Sequence, residues 1–206
     1  MYNLTKNNYH QKPKNSNIYT PPEVSQFIFE LLKDKILKDS LILDPCSGRG
    51  SLLAPWKKVG FETTGIDIAE NSTAELKLDF LDKGLSTATK LFEPCYQSMR
   101  FDKCFLILCN PPFNGYGQKL GSEVWLDKII ELFGKQIPLV LFAPMGFRLN
   151  GKKQGKRWTK FTNNKYPPIS SIISLPRDIF AEVEFHSEIL IFNIPNLSPH
   201  YFYHEI

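Results

Sequence analysis

The chain contains 206 residues, of which 42% are hydrophobic, and this size and composition favour one globular domain. Lysine and arginine number 25 against 21 aspartates and glutamates, so the net charge of +4 permits a nucleic-acid partner without requiring one. The four cysteines form no C-x-x-C pair and no apolar stretch is long enough to cross a membrane, so we expect a soluble, cytoplasmic protein that binds neither metal nor membrane.

The chain opens with a polar segment at 1–17, which we predict to be a flexible arm ahead of a single domain at 18–206. A helix is predicted to follow, with Thr20 as its N-cap and Pro21 in its first turn. Apolar residues then recur at helical spacing to about residue 38, which predicts that one face of this helix is buried.

Short apolar runs alternate with helical patterns along the rest of the chain. Strands are predicted at 41–43, 61–66, 76–78, 103–109, 137–142, 169–175 and 188–193. Helices are predicted at 51–59, 69–75 and 123–133, whereas residues 82–100 are too weakly patterned to assign. This alternation predicts a mostly parallel α/β sheet with helices on both faces.

Four polar residues stand where predicted strands end, namely Asp44, Asp67, Asp79 and Asn110. In open parallel sheets, ligands bind at the carboxyl ends of the strands. The shared position of these four residues is therefore stronger evidence for a site than any one of them alone.

The segment Asn110–Phe113 reads Asn-Pro-Pro-Phe and directly follows an apolar run. Two successive prolines cannot continue a strand or a helix, so the chain must turn there. The Asn110 amide and the Pro111 carbonyl could then accept both hydrogens of one planar amine, while the Phe113 ring stacks on the base that carries it. The tetrapeptide indicates methylation of a conjugated amino group, and a plain Pro-Pro turn with a buried phenylalanine is the ordinary alternative.

A glycine turn, Asp44-Pro-Cys-Ser-Gly48-Arg-Gly50, lies between a predicted strand and a predicted helix. Glycine allows close approach of the backbone to a ligand, and Asp44 could bind a cationic group. Asp67 could accept both hydroxyls of a ribose, and Asp79 with Phe80 could contact an adenine. A tight turn, a helix cap and a solvated acid are the ordinary alternatives.

Together these residues resemble the Rossmann-like class I amino-methyltransferases that use S-adenosylmethionine, over residues 19–193. The resemblance implies a mostly parallel sheet of seven strands with helices on both faces, and S-adenosylmethionine as the cofactor. It also implies that Asn110, Pro111, Pro112 and Phe113 form the catalytic turn and that Asn110 contacts the cofactor as well. The other cofactor contacts that it implies are Tyr19, Thr20, Pro21, Asp44, Pro45, Cys46, Gly48, Gly50, Asp67, Ile68, Asp79 and Phe80.

The order of these segments along the chain resembles that of one subgroup of these methyltransferases. Tyr19–Pro21 precedes the glycine turn, as a Y/F-T-P segment does in the gamma arrangement of DNA adenine-N6 methyltransferases, where it touches the carboxylate of the cofactor. The resemblance implies methyl transfer to N6 of an adenine that is flipped out of DNA. It also places Phe180 in a late loop where an aromatic ring can stack on the flipped base, and a buried phenylalanine is the ordinary alternative.

Residues 147–165 form the clearest cluster of positive charge, with no acid between them. Cations suit phosphates and aromatic rings suit unstacked bases. We therefore predict substrate contacts from Arg148, Lys152, Lys153, Lys156, Arg157, Trp158 and Lys160. A solvated surface loop is the alternative interpretation.

Enzymes of the gamma arrangement usually carry a large target-recognition domain, for which this chain has no room. Recognition is expected instead from residues 146–165 and the N-terminal arm or from a separate specificity subunit, and the alternative is an enzyme with relaxed sequence preference. The partners expected besides DNA are such a subunit or a second copy of the chain in a homodimer. Three other functions stay open: methylation of RNA at adenine N6 or guanine N2, methylation of protein glutamine, and nucleic-acid binding without catalysis.

Overall fold

The computed structural model describes residues 18–85, 105–113, 119–149, 151–181 and 183–205. The predicted arm at 1–17 and residues 86–100 of the unassigned stretch lie outside the described residues. Within the described ranges, no helix combines the length and the apolar character that a membrane span requires.

The described part of the chain contains one sheet of eight strands. In chain order the strands are β1 (Leu41–Asp44), β2 (Glu62–Asp67), β3 (Leu76–Lys77), β4 (Phe105–Cys109), β5 (Leu139–Pro144), β6 (Ile169–Ser174), β7 (Ser187–Phe192) and β8 (His200–Phe202). Their order across the sheet is β3-β2-β1-β4-β5-β7-β6-β8. β7 runs antiparallel to both of its neighbours, and the other pairs are parallel. The predicted mostly parallel α/β sheet is confirmed.

The predicted number of seven strands is wrong, because β8 adds an eighth at the edge of the sheet. β8 pairs in parallel with β6, from Ile172 opposite His200 to Ser174 opposite Phe202. It has only three residues, and Phe202 is 72% exposed. The segment therefore lacks the apolar run or alternation by which the other strands are predicted.

The helices, in chain order, are α1 (Pro22–Leu32), α2 (Ala54–Lys58), α3 (Gly121–Phe133), α4 (Gly146–Leu149) and α5 (Lys156–Thr162). α1 and α2 are shorter than predicted. The helix predicted at 69–75 is wrong, because that segment forms turns, one of them closed by the Ser72 N–H donating to the Ala69 carbonyl at 3.0 Å.

The predicted N-cap of α1 is also wrong. Pro21, not Thr20, occupies the N-cap position, with φ −60° and ψ 140°, and no side chain caps the helix. The Thr20 hydroxyl instead accepts a hydrogen bond from the Asn110 amide. The local sequence predicted that the Thr20 hydroxyl would cap the helix, but the hydroxyl forms a tertiary hydrogen bond with Asn110 instead.

Helices cover both faces of the sheet. Because side chains alternate along each strand, successive residues pack into the two different cores. Leu43 and Ile107 pack into the core on the α3 side, which contains Trp125. Their neighbours Ile42 and Leu106 pack on the opposite side, in the core that α1 and α2 complete. Both faces of β1 and β4 are therefore fixed by packing, which leaves their carboxyl ends as the place for a site.

The parallel register brings the predicted site residues to one edge. β1 lies between β2 and β4, with Asp44 opposite Gly65 and Leu43 opposite Ile107. Asp67 is the last residue of β2, and Asn110 directly follows β4. The ends of three neighbouring strands thus place Asp44, Asp67 and Asn110 on the same side of the sheet.

The Pro-Pro turn after β4 packs directly against the start of α3. The Gly121 N–H donates to the Phe113 carbonyl at 3.0 Å. A Cβ atom on Gly121 would lie 1.7 Å from the Pro112 carbonyl oxygen. No side chain at position 121 fits unless the backbone of the turn moves.

We expect Gly121→Ala to lower the free energy of unfolding by about 3 kcal/mol, because the new methyl group must displace backbone atoms of the turn. Gly84→Ala is the matched control, since a Cβ there comes no closer than 3.4 Å to its neighbour, the Asp82 Oδ1 atom. Urea denaturation of both variants measures the difference. Equal stabilities for the two variants would contradict the close packing at Gly121.

Candidate active site

The glycine turn that follows β1 is shaped by two residues in the left-handed backbone region. Gly48 has a φ of +51° and Gly50 a φ of +73°, a region that favours glycine. Space adds a second constraint, because a Cβ on Gly48 would lie 3.0 Å from the ring of Tyr19. The Arg49 guanidinium lies on the same ring, 4.2 Å from its centroid. Tyr19 therefore packs directly on the turn.

The Asp67 carboxylate connects this turn to the loop after β2. Its Oδ2 atom accepts the Gly48 N–H and its Oδ1 atom accepts the Ala69 N–H, both at 2.8 Å. A carboxylate oxygen has two lone pairs, so each retains capacity for a ligand hydroxyl. Ile68, the next residue, is 69% exposed beside it.

Asp44 is buried at the end of β1 with only 2% of its surface exposed. Its Oδ1 atom accepts the Cys46 N–H at 3.1 Å. Burial away from water raises the pKa of Asp44 to about 7, and the negative charge of Asp67 adds to the rise. A cation placed against Asp44 would offset this cost, which makes the position suited to an ammonium group.

The thiols of Cys46 and Cys109 lie 3.7 Å apart and are both free. Burial raises the pKa of each, so both remain protonated thiols at neutral pH. The contact joins the glycine turn to the last residue of β4. The expectation of a buried free thiol holds for Cys109, whereas Cys46 is half-buried. Cys95 and Cys104 lie outside the described residues.

Asn110 lies within reach of the Tyr19–Pro21 segment. Its Nδ2 atom donates to the Thr20 Oγ1 atom at 2.9 Å, across 90 positions of sequence. Thr20 is buried, with 7% of its surface exposed. The two segments that the sequence analysis linked only by resemblance are therefore in direct contact.

Phe113, Phe180 and Phe80, which were predicted to contact a base, are covered by protein. Phe113 is 4% exposed and meets Phe185 edge-on at 5.3 Å, and Phe185 stacks on the buried Phe180 at 5.5 Å. Phe80, after β3, is 1% exposed and stacks on Trp125 at 5.4 Å. The neighbouring Asp79 is exposed and accepts the Leu81 N–H at 2.8 Å.

Two cavities open around the Tyr19–Pro21 segment. The smaller cavity has a volume of about 30 Å³. The polar residues that line it include Tyr19, Thr20, Asp44, Ser47, Arg49 and Asn110. The larger cleft, of about 780 Å³, lies between the start of α1, the start of α2 and residues 178–181, and it shares Tyr19, Thr20 and Arg49 with the smaller one. Predicted site residues from the ends of both β1 and β4, namely Asp44, Cys46, Gly48 and Asn110, thus line one small space.

Two lining residues of this space, Ser47 and Arg49, were not predicted from the sequence. The Ser47 Oγ atom is buried and has no hydrogen-bond partner among the described residues. No described acid lies within ion-pair distance of Arg49. Both residues stand inside the glycine turn, so their place in that motif was the signal that could have identified them.

Part of the basic stretch is bound to acids of α3. Arg157 donates to Glu123 at 3.4 Å and to the Gly146 carbonyl at 3.1 Å. Lys160 donates to Glu123 at 3.1 Å and to Asp127 at 2.6 Å, and the Tyr166 hydroxyl also donates to Asp127. Glu123 is 5% exposed, so these cations compensate a buried carboxylate.

The rest of the basic stretch divides into one paired arginine and several exposed lysines. Arg148 forms a two-point ion pair with the buried Glu188, at 2.9 and 3.2 Å. Lys152, Lys153 and Lys156 are exposed, and Trp158 is 39% exposed beside them. Three cations of the predicted set therefore anchor the segment, and the exposed three remain available to a ligand.

No group of three or more histidine, cysteine, aspartate or glutamate side chains in the described ranges could hold a metal ion.

Residues 1–128 match the family model described as N-6 DNA Methylase. The chain is 26% identical over 221 residues to the type I restriction enzyme MjaVIII methylase subunit of Methanocaldococcus jannaschii. That match covers 88% of this chain but 37% of the relative, so the chain spans little more than a third of that protein's length.

Two solved structures show the same fold at low sequence identity. The methyltransferase subunit of a type I restriction-modification system from Streptococcus thermophilus is 20% identical, with a TM-score of 0.59, over 90% of this chain and 47% of that one. Magnesium protoporphyrin IX methyltransferase from Synechocystis, solved with bound S-adenosylmethionine, is 15% identical, with a TM-score of 0.51, over 82% of this chain and 77% of that one.

We expect Asp44→Asn to stabilise the ligand-free protein at pH 8 and to change its stability little near pH 4. Between pH 3.8 and about 7 the Asp44 carboxyl ionises in the unfolded chain but stays protonated in the folded one, so the folded state loses stability as the pH rises through this range. Asparagine keeps an acceptor for the Cys46 N–H and carries no charge. Thermal unfolding should give a gain in Tm of about 5–10 °C at pH 8. A gain of the same size at both pH values would contradict the raised pKa.

Proposed function

This chain belongs to the N-6 DNA methylase family, and on that premise we propose that it transfers a methyl group from S-adenosylmethionine to the exocyclic N6 amine of adenine in DNA. The relative from M. jannaschii is named as a methylase subunit of a type I restriction enzyme, which supports a role in restriction-modification. The observation that carries the proposal is one small cavity lined together by Tyr19, Thr20, Asp44 and Asn110. It unites three of the segments by which the sequence resembles adenine-N6 methyltransferases: Tyr19–Pro21, the glycine turn and the turn that begins at Asn110.

The residues around this cavity fit the amino-acid end of S-adenosylmethionine. Asp44 is a buried carboxylate that an ammonium group would stabilise, and Ser47 offers a hydroxyl without a partner among the described residues. Asp67 retains lone pairs for the ribose hydroxyls, and the exposed Ile68 could cover one face of the adenine. When bound there, the cofactor supplies a methyl group on a positively charged sulfur.

The catalytic turn would act by accepting hydrogen bonds from the target amine. Asn110 uses its Nδ2 atom on Thr20, which leaves Oδ1 to accept one amine hydrogen. The Pro111 carbonyl would accept the second. Two such bonds draw the nitrogen lone pair out of conjugation with the ring and direct it toward the methyl group. Positioning and electrostatics would supply most of the rate enhancement.

A flipped adenine would stack on Phe113, with Phe180 as a second aromatic contact. Extrusion of the base costs a few kcal/mol, which contacts in the site must offset. Because the Phe185 ring now lies against both phenylalanines, base entry requires that this ring moves aside. The aromatic cluster would thus open only for a base that can replace its packing.

Contacts to the DNA backbone are proposed for the exposed part of the basic stretch. Lys152, Lys153 and Lys156 would pair with phosphates, and Trp158 could stack on an unpaired base. The anchored cations Arg148, Arg157 and Lys160 would hold this surface in place. Sequence recognition would come from a separate specificity subunit, and the relative from M. jannaschii is itself named as one subunit of a restriction enzyme.

The test is transfer of labelled methyl from S-adenosylmethionine to duplex DNA, single-stranded DNA, RNA and protein, followed by digestion to nucleosides. Label recovered as N6-methyldeoxyadenosine is the expected result. Label found only in RNA or only in protein would reject DNA as the substrate and favour the corresponding alternative.

We expect Asn110→Ala to lower kcat by at least about 100-fold, because it removes an acceptor needed only while the amine reacts. The Kd for S-adenosylmethionine, measured by calorimetry, should change by less than about threefold, since Asp44 and Asp67 remain. Asn71→Ala, at an exposed turn, is the control and should behave as the wild type. Normal turnover in Asn110→Ala would exclude the role proposed for this amide.

We expect Lys152→Ala/Lys153→Ala to weaken binding to duplex DNA uniformly across sequences. The loss of two phosphate contacts should reduce the slope of log K against log salt by about 2. The matched control is Lys35→Ala/Lys38→Ala, which also removes two exposed cations but lies just before the amino end of β1. The same loss of affinity in both variants would show that net charge, and not this surface, determines the binding.

A further inference from the structure

Thr20 contacts Asn110 in a way that its position in the chain does not explain. Its hydroxyl caps no helix, because Pro21 holds the N-cap position of α1 and no side-chain cap is formed. The Thr20 Oγ1 atom instead accepts the Asn110 Nδ2 hydrogen at 2.9 Å, and Thr20 is 93% buried, given its exposed fraction of 7%. A buried hydroxyl is thus committed to the side chain proposed to hold the target amine.

An asparagine amide has a donor end and an acceptor end, and only one of them suits an amine substrate. With its oxygen toward the substrate, Asn110 accepts an amine hydrogen; with its nitrogen there, two hydrogen-bond donors would face each other. The Thr20 hydroxyl can accept or donate, and in this structure it accepts from the Asn110 nitrogen, which leaves the amide oxygen for the substrate. We propose that Thr20 is a positioning residue, which fixes the Asn110 amide so that its Oδ1 atom faces the target amine.

Thr20 is itself held by rigid neighbours. Pro21 and Pro22 follow it and restrict the backbone. Tyr19 precedes it and packs on Gly48, where a Cβ would come within 3.0 Å of the ring. The position of the Thr20 hydroxyl is thereby tied to the glycine turn, because a shift of Thr20 would disturb the packing of Tyr19 on Gly48.

This inference rests on the proposed function, and it differs from the role that the sequence resemblance gives to Thr20. A contact to the carboxylate of the cofactor would contribute to cofactor affinity. A positioning residue that acts through Asn110 would contribute to turnover at saturating cofactor and leave the affinity unchanged. The two roles are therefore separable by measuring kcat and Kd together.

The experiment compares Thr20→Val, which keeps the shape and removes the hydroxyl, with Thr20→Ser, which keeps the hydroxyl. We expect kcat on duplex DNA to fall about tenfold or more in Thr20→Val and to return to within about threefold of the wild type in Thr20→Ser. The Kd for S-adenosylmethionine should stay within about twofold in both variants, which also reports an intact glycine turn.

A double mutant tests whether Thr20 acts through Asn110. Thr20→Val/Asn110→Ala should turn over no more slowly than Asn110→Ala alone, since residues that act as a unit are not additive. Additive losses, an unchanged kcat in Thr20→Val, or a loss confined to cofactor affinity would each overturn the inference and leave the proposed function standing. A wild-type chain that methylates no nucleic acid would overturn the proposed function and this inference with it.

Discussion

The carboxylate of Asp67 holds the elements of the candidate active site in register. Its two oxygens bind the N–H groups of Gly48 and Ala69, which fixes the glycine turn against the end of β2. Tyr19 then packs on Gly48, and this places the neighbouring Thr20 against Asn110. A single chain of contacts therefore runs across three neighbouring strand ends, from the ribose-binding candidate to the catalytic candidate. Each member is positioned by the one before it, so the geometry of the site is a property of the whole edge.

The basic stretch after β5 combines two roles that a count of charges does not separate. Glu123 on α3 is a buried carboxylate, and a buried charge is costly unless it is paired. Arg157 and Lys160 form ion pairs with Glu123, and Lys160 also pairs with Asp127 on the same helix. These ion pairs fix α5 against α3. The lysines that precede α5, including Lys152, form no ion pair with an acid in the described part of the chain. Anchored charge and exposed charge thus alternate within a short segment, which gives a stable surface that still attracts phosphate.

Most of the fold could be predicted because its information is local. Buried strands appear as apolar runs, and the acids and the Asn-Pro-Pro-Phe turn that end them mark one edge of the sheet. What failed depends on distant residues. Thr20 has every property of an N-cap, but Asn110 takes its hydroxyl from 90 positions away. The partners of Arg148 and Arg157 lie on other elements, and Phe80 packs on Trp125 far along the chain. Local patterns can assign a residue to a helix or strand, but they cannot identify the distant residue with which its side chain will form a hydrogen bond, an ion pair or a packing contact.

The burial of Asp44 has a consequence for how ligand binding depends on protons. With a pKa of about 7, this carboxyl is partly protonated in the empty site at neutral pH. A ligand that places a cation beside it favours the ionised form, so binding at or below that pH releases a proton to the buffer. The observed heat of binding then contains the ionisation enthalpy of the buffer, and the apparent affinity falls as the solution becomes more acidic. A buried acid at the end of one strand thereby links occupancy of the site to the acidity of its surroundings.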